Sequence, residues 1–222
     1  MSKKKSLTLT LLKSEAKRYL SRHNDRPIKE LFGVNDGKAI GTYVEHDFQN
    51  YLNKSYSYQL GNSASGIDFP ILKLDIKVTS IRQPQSSCPY RDATQKVYGL
   101  GYDLLIFVYE KTDNHKKKHA KMNFLYAIFV ESSCTADFQT TKGINGILDR
   151  NGNKDDLIAF LEERNLPLDD IGRESLAKRI LSEKPKIGYL TISNALQWRL
   201  QYTRVIELAG TGGTNGVENI LK

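Results

Sequence analysis

Leu72-Lys73-Leu74-Asp75-Ile76-Lys77-Val78 alternates apolar and polar residues without a break, the period of a strand that lays one face on a core. Leu72, Leu74, Ile76 and Val78 share that face, while Lys73, Asp75, Lys77 and Thr79 share the other, so Asp75 and Lys77 point the same way. Seven positions before Asp75 stands Asp68, just ahead of Pro70, and this spacing lets a tight hairpin bring the two carboxylates together. Two carboxylates a few ångströms apart repel by roughly 4 kcal/mol at an effective dielectric near ~20, so both stay ionised only with a cation between them. Hard oxygen ligands imply Mg²⁺, which takes one or two carboxylates and fills its other positions with waters and substrate phosphate oxygens. Such a constellation suits phosphodiester cleavage.

Downstream, Asp103 to Tyr109 and Phe124 to Val130 are continuous apolar runs, expected to be central strands covered on both faces. Upstream, Ile40, Val44, Phe48, Tyr51 and Leu52 recur at helical spacing, which predicts a helix from Lys38 to about Asn53. Two short peripheral helices are expected between Lys13 and Leu31, where apolar positions are sparse and Lys17, Arg18, Arg22 and Arg26 intervene. Helical patterns follow at about Asp137 to Leu148, Lys154 to Arg164 and Leu168 to Ser182. A strand is expected at Ile187 to Ile192, and a helix from an N-cap at Ser193 to about Leu208. The fold class is therefore α/β, a small mixed β-sheet flanked by helices. A single nuclease domain over 1–222 is expected, with peripheral helices at 1–37, a catalytic core at 38–135, a helical and sheet-completing part at 136–208 and a flexible tail at 209–222.

The 222 residues, 39% hydrophobic and 26% charged, exclude a fibrous or largely disordered chain. No apolar run exceeds about six residues, far short of the roughly 20 that span a bilayer, so no membrane association is expected. The basic start Met1 to Lys5 is followed by a stretch broken by Thr8 and Thr10, so a secretory leader is not expected. Cys88 and Cys134 form neither a disulfide framework nor a CxxC zinc pattern, which fits a reducing cytoplasm. Thirty-three Lys and Arg against 25 Asp and Glu leave a net charge of +8, which favours a polyanionic partner such as nucleic acid.

Glu45 supplies a third acid. At about 100° per residue it falls at the border of its helix's apolar stripe, beside Leu52, where it can look towards the sheet. His46 is turned about 100° away and is the weaker candidate proton acceptor. An isolated Asp-x-Lys on a strand is ordinarily a solvated face. Its combination with an acid seven positions upstream and a helical Glu is much rarer. These residues, with Asp68 in Gly66-Ile67-Asp68-Phe69-Pro70 and Asp75-Ile76-Lys77, resemble the acidic and lysine signature of the PD-(D/E)xK nuclease superfamily. The closest similarity is to type II restriction endonucleases and the related mismatch-repair nicking endonucleases, over about Gly41 to Tyr109.

The resemblance implies a restriction-endonuclease-like core and a sequence-specific, Mg²⁺-dependent endonuclease that leaves 5′-phosphate and 3′-hydroxyl ends. It implies that Asp68, Asp75 and the backbone carbonyl of Ile76 hold the metal and that Lys77 polarises the attacking water. Glu45 then orients or deprotonates that water, directly or through a second metal. The partner is double-stranded DNA, met by a homodimer whose two-fold axis matches a palindromic site. A nicking or structure-specific DNase, and a non-catalytic DNA-binding protein with the same residues as surface charge, are the alternatives.

Arg82, Gln83 and Gln85 follow the catalytic strand and offer guanidinium and amide groups of the kind that read guanine and adenine in the major groove, though such residues also fill ordinary loops. Arg91, Gln95 and Lys96 fall on an expected short helix and suit phosphate contact. Gln197, Arg199, Gln201 and Arg204 line the polar side of the expected last helix, as DNA contacts or as a solvated face. His115 to His119, with three lysines between, is expected to be a hairpin tip.

Overall fold

The computed structural model describes residues 4–61, 66–89, 91–193 and 199–222. In chain order its elements are β1 (Lys5–Ser6), α1 (Leu9–His23), β2 (Pro27–Ile28), α2 (Gly37–Asn53), β3 (Tyr56–Ser57), β4 (Leu74–Ser80), β5 (Gln85–Ser87) and α3 (Gln95–Tyr98). They continue with β6 (Asp103–Asn114), β7 (His119–Val130), α4 (Phe138–Asp149), α5 (Lys154–Glu163), α6 (Asp170–Ser182), β8 (Thr191–Ile192), β9 (Arg199–Gln201), α7 (Thr203–Gly210) and β10 (Val217–Asn219).

The main sheet has the order β10-β7-β6-β4, with β2 also on β7. β4 runs parallel to β6, and the other pairs are antiparallel. β6 and β7, the two apolar runs, form its middle. They are joined at 115–118 by the hairpin tip expected there. On one face, Leu74, Ile76, Val78, Leu105 and Phe107 pack against α1 and α2. On the other, Leu104, Ile106 and Val108 pack with Leu200, Tyr202 and Val205. β4 therefore has both faces covered and one edge open, where a half-buried strand was expected. This is the mixed α/β arrangement, a small sheet between helices, that the sequence implies. No helix among the described residues is long and apolar enough to cross a membrane.

Several expectations differ from what the chain does. The two peripheral helices expected between Lys13 and Leu31 are a single helix, α1, with Leu12, Ala16, Tyr19 and Leu20 buried. Those positions recur at helical spacing once Leu12 is counted, so the stripe is real but narrow. Between them Glu15 is also buried. It accepts hydrogen bonds from Tyr51 Oη at 2.6 Å, Tyr56 Oη at 2.9 Å and Arg18 Nη1 at 2.8 Å, which ties α1 to α2 and β3. Glu15→Ala leaves two phenols without their acceptor and is expected to cost about 2–3 kcal/mol. The check is a lower urea midpoint at unchanged slope; an unmoved midpoint would mean that α1 is held in place by other contacts.

Towards the C-terminus, the strand expected at Ile187 to Ile192 contracts to β8, with Leu190 bridging to Asp137. The helix expected from Ser193 to Leu208 divides into β9 and α7. Residues 194–198 lie outside those described. Long-range pairing of β9 with β5 and β8 overrides the local helical pattern. The stretch 209–222, expected as a flexible tail, carries β10 and completes the sheet edge against β7. Gly216 turns the chain into that strand at a φ of 83°, where a Cβ would strike Cys134 Sγ, and its carbonyl accepts from Glu131 N at 2.8 Å.

Candidate active site

The hairpin that the acid spacing suggested is present. Phe69 and Leu74 exchange both backbone hydrogen bonds, at 3.0 and 3.2 Å, and Lys73 N donates to Pro70 O at 3.1 Å. Lys73 closes this turn at a φ of 48°, which is why β4 begins at Leu74 and not at Leu72. The turn lays Asp68 along the open edge of β4, where Asp68 Oδ2 accepts from Ile76 N at 2.8 Å. A strand residue's N–H and C=O point to the same side, so the Ile76 carbonyl also faces that open edge.

Asp75 and Lys77 leave β4 on the face shared with Leu104 and Ile106, their register partners on β6. Asp75 is 3% exposed. Its Oδ2 lies 2.6 Å from the Lys77 ammonium, a close ion pair. Glu45 comes from α2, a helix capped by Asp36, whose carboxylate accepts from Lys38 N and Ala39 N. Ile40, Val44, Phe48 and Leu52 are its buried stripe, and Glu45 stands half-buried at the border as the spacing implied. One turn earlier is Gly41. A Cβ placed there would lie 3.8 Å from Val78 O and 4.0 Å from Glu45 Oε1, so Glu45 overlooks the same edge of β4. His46 is exposed.

Glu45 and Asp75 each feel the charges of Asp68 and Lys77. Burial, and then the nearby charge of Asp68, push the Glu45 carboxyl up to about 7, with Lys77 acting in opposition. Burial likewise lifts Asp75 to about 7, with Lys77 lowering it and Asp68 raising it further. Burial acts to lower the proton affinity of Lys77, but the charges around it, Asp75 foremost, hold it above the ordinary lysine range. The apposed, proton-retaining carboxylates and the carbonyl at the open edge together fit a hard divalent cation. Among the described residues no three His, Cys, Asp or Glu side chains are gathered closely enough to hold an ion alone.

The segments expected to meet DNA fare unequally. Gln95 and Lys96 are buried, 5% and 2% exposed, so neither reaches a phosphate. Gln95 instead braces its loop, accepting from Arg91 N and donating to Leu100 O. Lys96 lies within the field of the buried Asp137. Gln197 falls outside the described residues. Arg91 is exposed, and Arg204 is half-buried, its guanidinium 3.5 Å above the Phe138 ring.

What sequence reasoning missed is that 82–87 and 199–201 are neighbours. β5 pairs with β9 so that Gln85 faces Gln201, Ser86 faces Leu200 and Ser87 faces Arg199, with β8 on the far side of β9. Arg82, Gln83, Arg199 and Gln201 are exposed on this ribbon, and Leu200 is buried. The ribbon is stitched to the end of the acid-bearing strand. Thr79 Oγ1 donates to the carbonyls of Gln83 and Gln85, both at 3.3 Å, and Ser80 bridges to Gln83. The polar-apolar alternation of Arg199-Leu200-Gln201 is the one local trace of this pairing.

Comparison with known proteins points the same way. The family described as type II restriction enzyme NspV matches residues 6–219 of the chain. The curated type II restriction enzyme NspV of a Nostoc species is 57% identical over 204 residues, which are 92% of this chain and 93% of the relative. No solved structure matches.

Proposed function

Because the chain belongs to the NspV family of type II restriction enzymes, and is by that membership a site-specific endonuclease, we propose that Glu45, Asp68, Asp75 and Lys77 are its catalytic group, served by Mg²⁺. The observation that carries this reading is the convergence at one strand edge. Asp68 Oδ2 lies on Ile76 N at 2.8 Å, Lys77 Nζ lies 2.6 Å from Asp75, and Glu45 shares their field.

Asp68, Asp75 and the Ile76 carbonyl would hold the divalent ion, with Glu45 as a further candidate ligand. When bound, the ion supplies positive charge beside the scissile phosphate and acidifies a neighbouring water. Lys77, kept protonated by Asp75 and Asp68, donates to the phosphate oxygen that gains charge as the water attacks. Glu45, with a proton affinity near neutrality, is poised to take the proton of that water. The water oxygen bonds to phosphorus as the P–O3′ bond breaks, and the departing 3′ oxygen takes a proton from solvent water, giving 5′-phosphate and 3′-hydroxyl ends. Arg82, Gln83, Gln85, Arg199 and Gln201, on and beside the β5–β9 pair, would read base edges, and Arg91 and Arg204 would meet phosphates. A homodimer, working in the cytoplasm, would place one such site on each strand of a palindrome.

Incubation with supercoiled plasmid tests the reading. Discrete linear fragments with 5′-phosphate ends, formed with Mg²⁺ and absent without it, are expected. Accumulation of open circles alone would make the protein a nicking enzyme, and no cleavage in any divalent metal would overturn the catalytic assignment.

A pH dependence follows from the raised carboxyls. The folded-state values of Glu45 and Asp75, about 7, lie above their ordinary values of 4.5 and 3.8. Between those limits the metal-free fold keeps protons that the unfolded chain has lost, so its stability falls as pH rises and levels off above about 7. Mg²⁺ needs the deprotonated forms. Its stabilising effect is therefore expected to be larger at pH 8 than at pH 6, read as the Mg²⁺-induced rise in Tm. A rise of equal size at both would place the ion elsewhere.

A further inference from the structure

Thr79 ends the run Asp75, Lys77, Thr79 on one face of β4, and at a rise of about 3.3 Å per residue it stands about 7 Å along the strand from Lys77. It is 3% exposed. A valine would fill the same space, so a hydroxyl there is explained by what its oxygen touches. It touches two carbonyls of the ribbon, Gln83 O and Gln85 O, at 3.3 Å each. A hydroxyl has one proton to give, so the two acceptors share it and both are drawn to the same point on the strand. The rest of this segment's backbone is held as well. Gln85 N donates to Gln83 O at 2.9 Å, closing a three-residue turn around Pro84, whose ring fixes φ at about −65°. Pro84 O accepts from Tyr202 N at 2.8 Å, Arg82 N donates to Ser80 Oγ at 3.2 Å, and Ser86 Oγ is hydrogen-bonded to Tyr202 Oη at 2.5 Å. The backbone is committed to the protein, while Arg82 and Gln83 are exposed and Gln85 is half-buried. Reading a base edge needs that combination, because a bidentate pair tolerates a displacement of only roughly 0.5 Å.

We propose that Thr79 is a positioning residue whose hydroxyl fixes the turn of Gln83, Pro84 and Gln85 on the strand that carries Asp75 and Lys77, and so sets how sharply the enzyme discriminates at the base pairs those two glutamines meet. This rests on the reading of the ribbon as the DNA contact and of the β4 residues as catalytic. With the hydroxyl in place, a glutamine paired to its base edge delivers the scissile phosphate to one fixed place beside Asp75 and Lys77. Without it the turn shifts against the strand. A wrong base pair is then accommodated by movement of the turn instead of leaving polar groups unpaired, and discrimination falls.

The test uses the full chain, a duplex bearing the site read from plasmid fragment ends, and a set of duplexes each with one base pair of that site replaced. Single-turnover cleavage with Mg²⁺ gives the ratio of the rate on the site to the rate on each replacement. Gln83→Ala and Gln85→Ala are expected to lower this ratio at particular base pairs, which marks where the two glutamines read. Thr79→Val is expected to lower it about 3- to 10-fold at those same base pairs and at no others, the size of one ordinary hydrogen bond. Thr79→Ser, which keeps the hydroxyl, should restore it, and Thr79→Ala is the second variant should Thr79→Val fail to fold. Adding Thr79→Val to the two glutamine variants together should lower the ratio no further, a non-additivity that a hydroxyl serving stability alone would not produce. Parent-like discrimination by Thr79→Val, a loss spread evenly over every base pair, or a Thr79→Ser that behaves as Thr79→Val would overturn the role of Thr79 alone. Discrimination untouched by both Gln83→Ala and Gln85→Ala would instead overturn the reading of the ribbon, and the role of Thr79 with it.

Discussion

Lys77→Ala is expected to cut DNA at least about 10³-fold more slowly than the parent, while binding the same duplex with little change. The variant removes the one cation of the cluster, whose side chain is 16% exposed and lies 2.6 Å from Asp75. Two effects compound. The phosphate oxygen that gains charge in the transition state loses its donor. Asp75, already lifted to about 7 by burial, also loses the neighbour that was lowering it and holds its proton at neutral pH. Neither effect touches the ribbon, so affinity measured with Ca²⁺ should stay close to that of the parent. Lys77→Arg is not expected to restore the rate, because a planar guanidinium does not fit a pocket shaped to a compact ammonium. Parent-like cleavage by Lys77→Ala would remove this residue from the mechanism.

Asp75→Asn should lose cleavage to a similar degree and, with it, the Mg²⁺-induced rise in Tm. The substitution keeps size and shape and removes the charge at the one carboxylate of the cluster that lies on the strand and is almost fully buried. Asp68 then remains with a carbonyl, waters and Glu45, a carboxyl that holds its proton to about 7, too little fixed charge to hold a divalent ion at millimolar concentration. The paired thermal and cleavage readings separate a lost metal from a lost fold. A variant that melts as a single transition, gains nothing from Mg²⁺ and does not cut is the expected result. One whose Tm still climbs with Mg²⁺ as the parent's does would move the ion away from Asp75.

Both expectations concern residues whose arrangement was legible early, because it is local. Asp68 and Asp75 are joined by one tight turn, and the i, i+2 alternation places Lys77 beside Asp75 whatever the rest of the chain does. The central strands β6 and β7 were legible for a similar reason: unbroken apolar runs of that length have to be covered on both faces. The position of Glu45 was readable from the helix period, as a residue at the border of the α2 stripe.

The misreadings share a different cause. Gln95 and Lys96 are polar residues of the kind that faces solvent, yet each is buried with partners that only folding supplies, Leu100 O for one and the charge of Asp137 for the other. Glu15, which fastens α1, was invisible for the same reason, since its tyrosine partners lie 36 and 41 positions away.

By itself, then, the sequence determined the elements whose signal has a period: the acid-bearing hairpin, the paired central strands and the helix that carries Glu45. Tertiary structure alone decided the ribbon, the β10 edge and the hydroxyl link from Ser86 to Tyr202. Strands of two or three residues are too short to carry a period. Their stability comes from partners 87 to 116 positions away in the chain, so their existence is a property of the packed molecule.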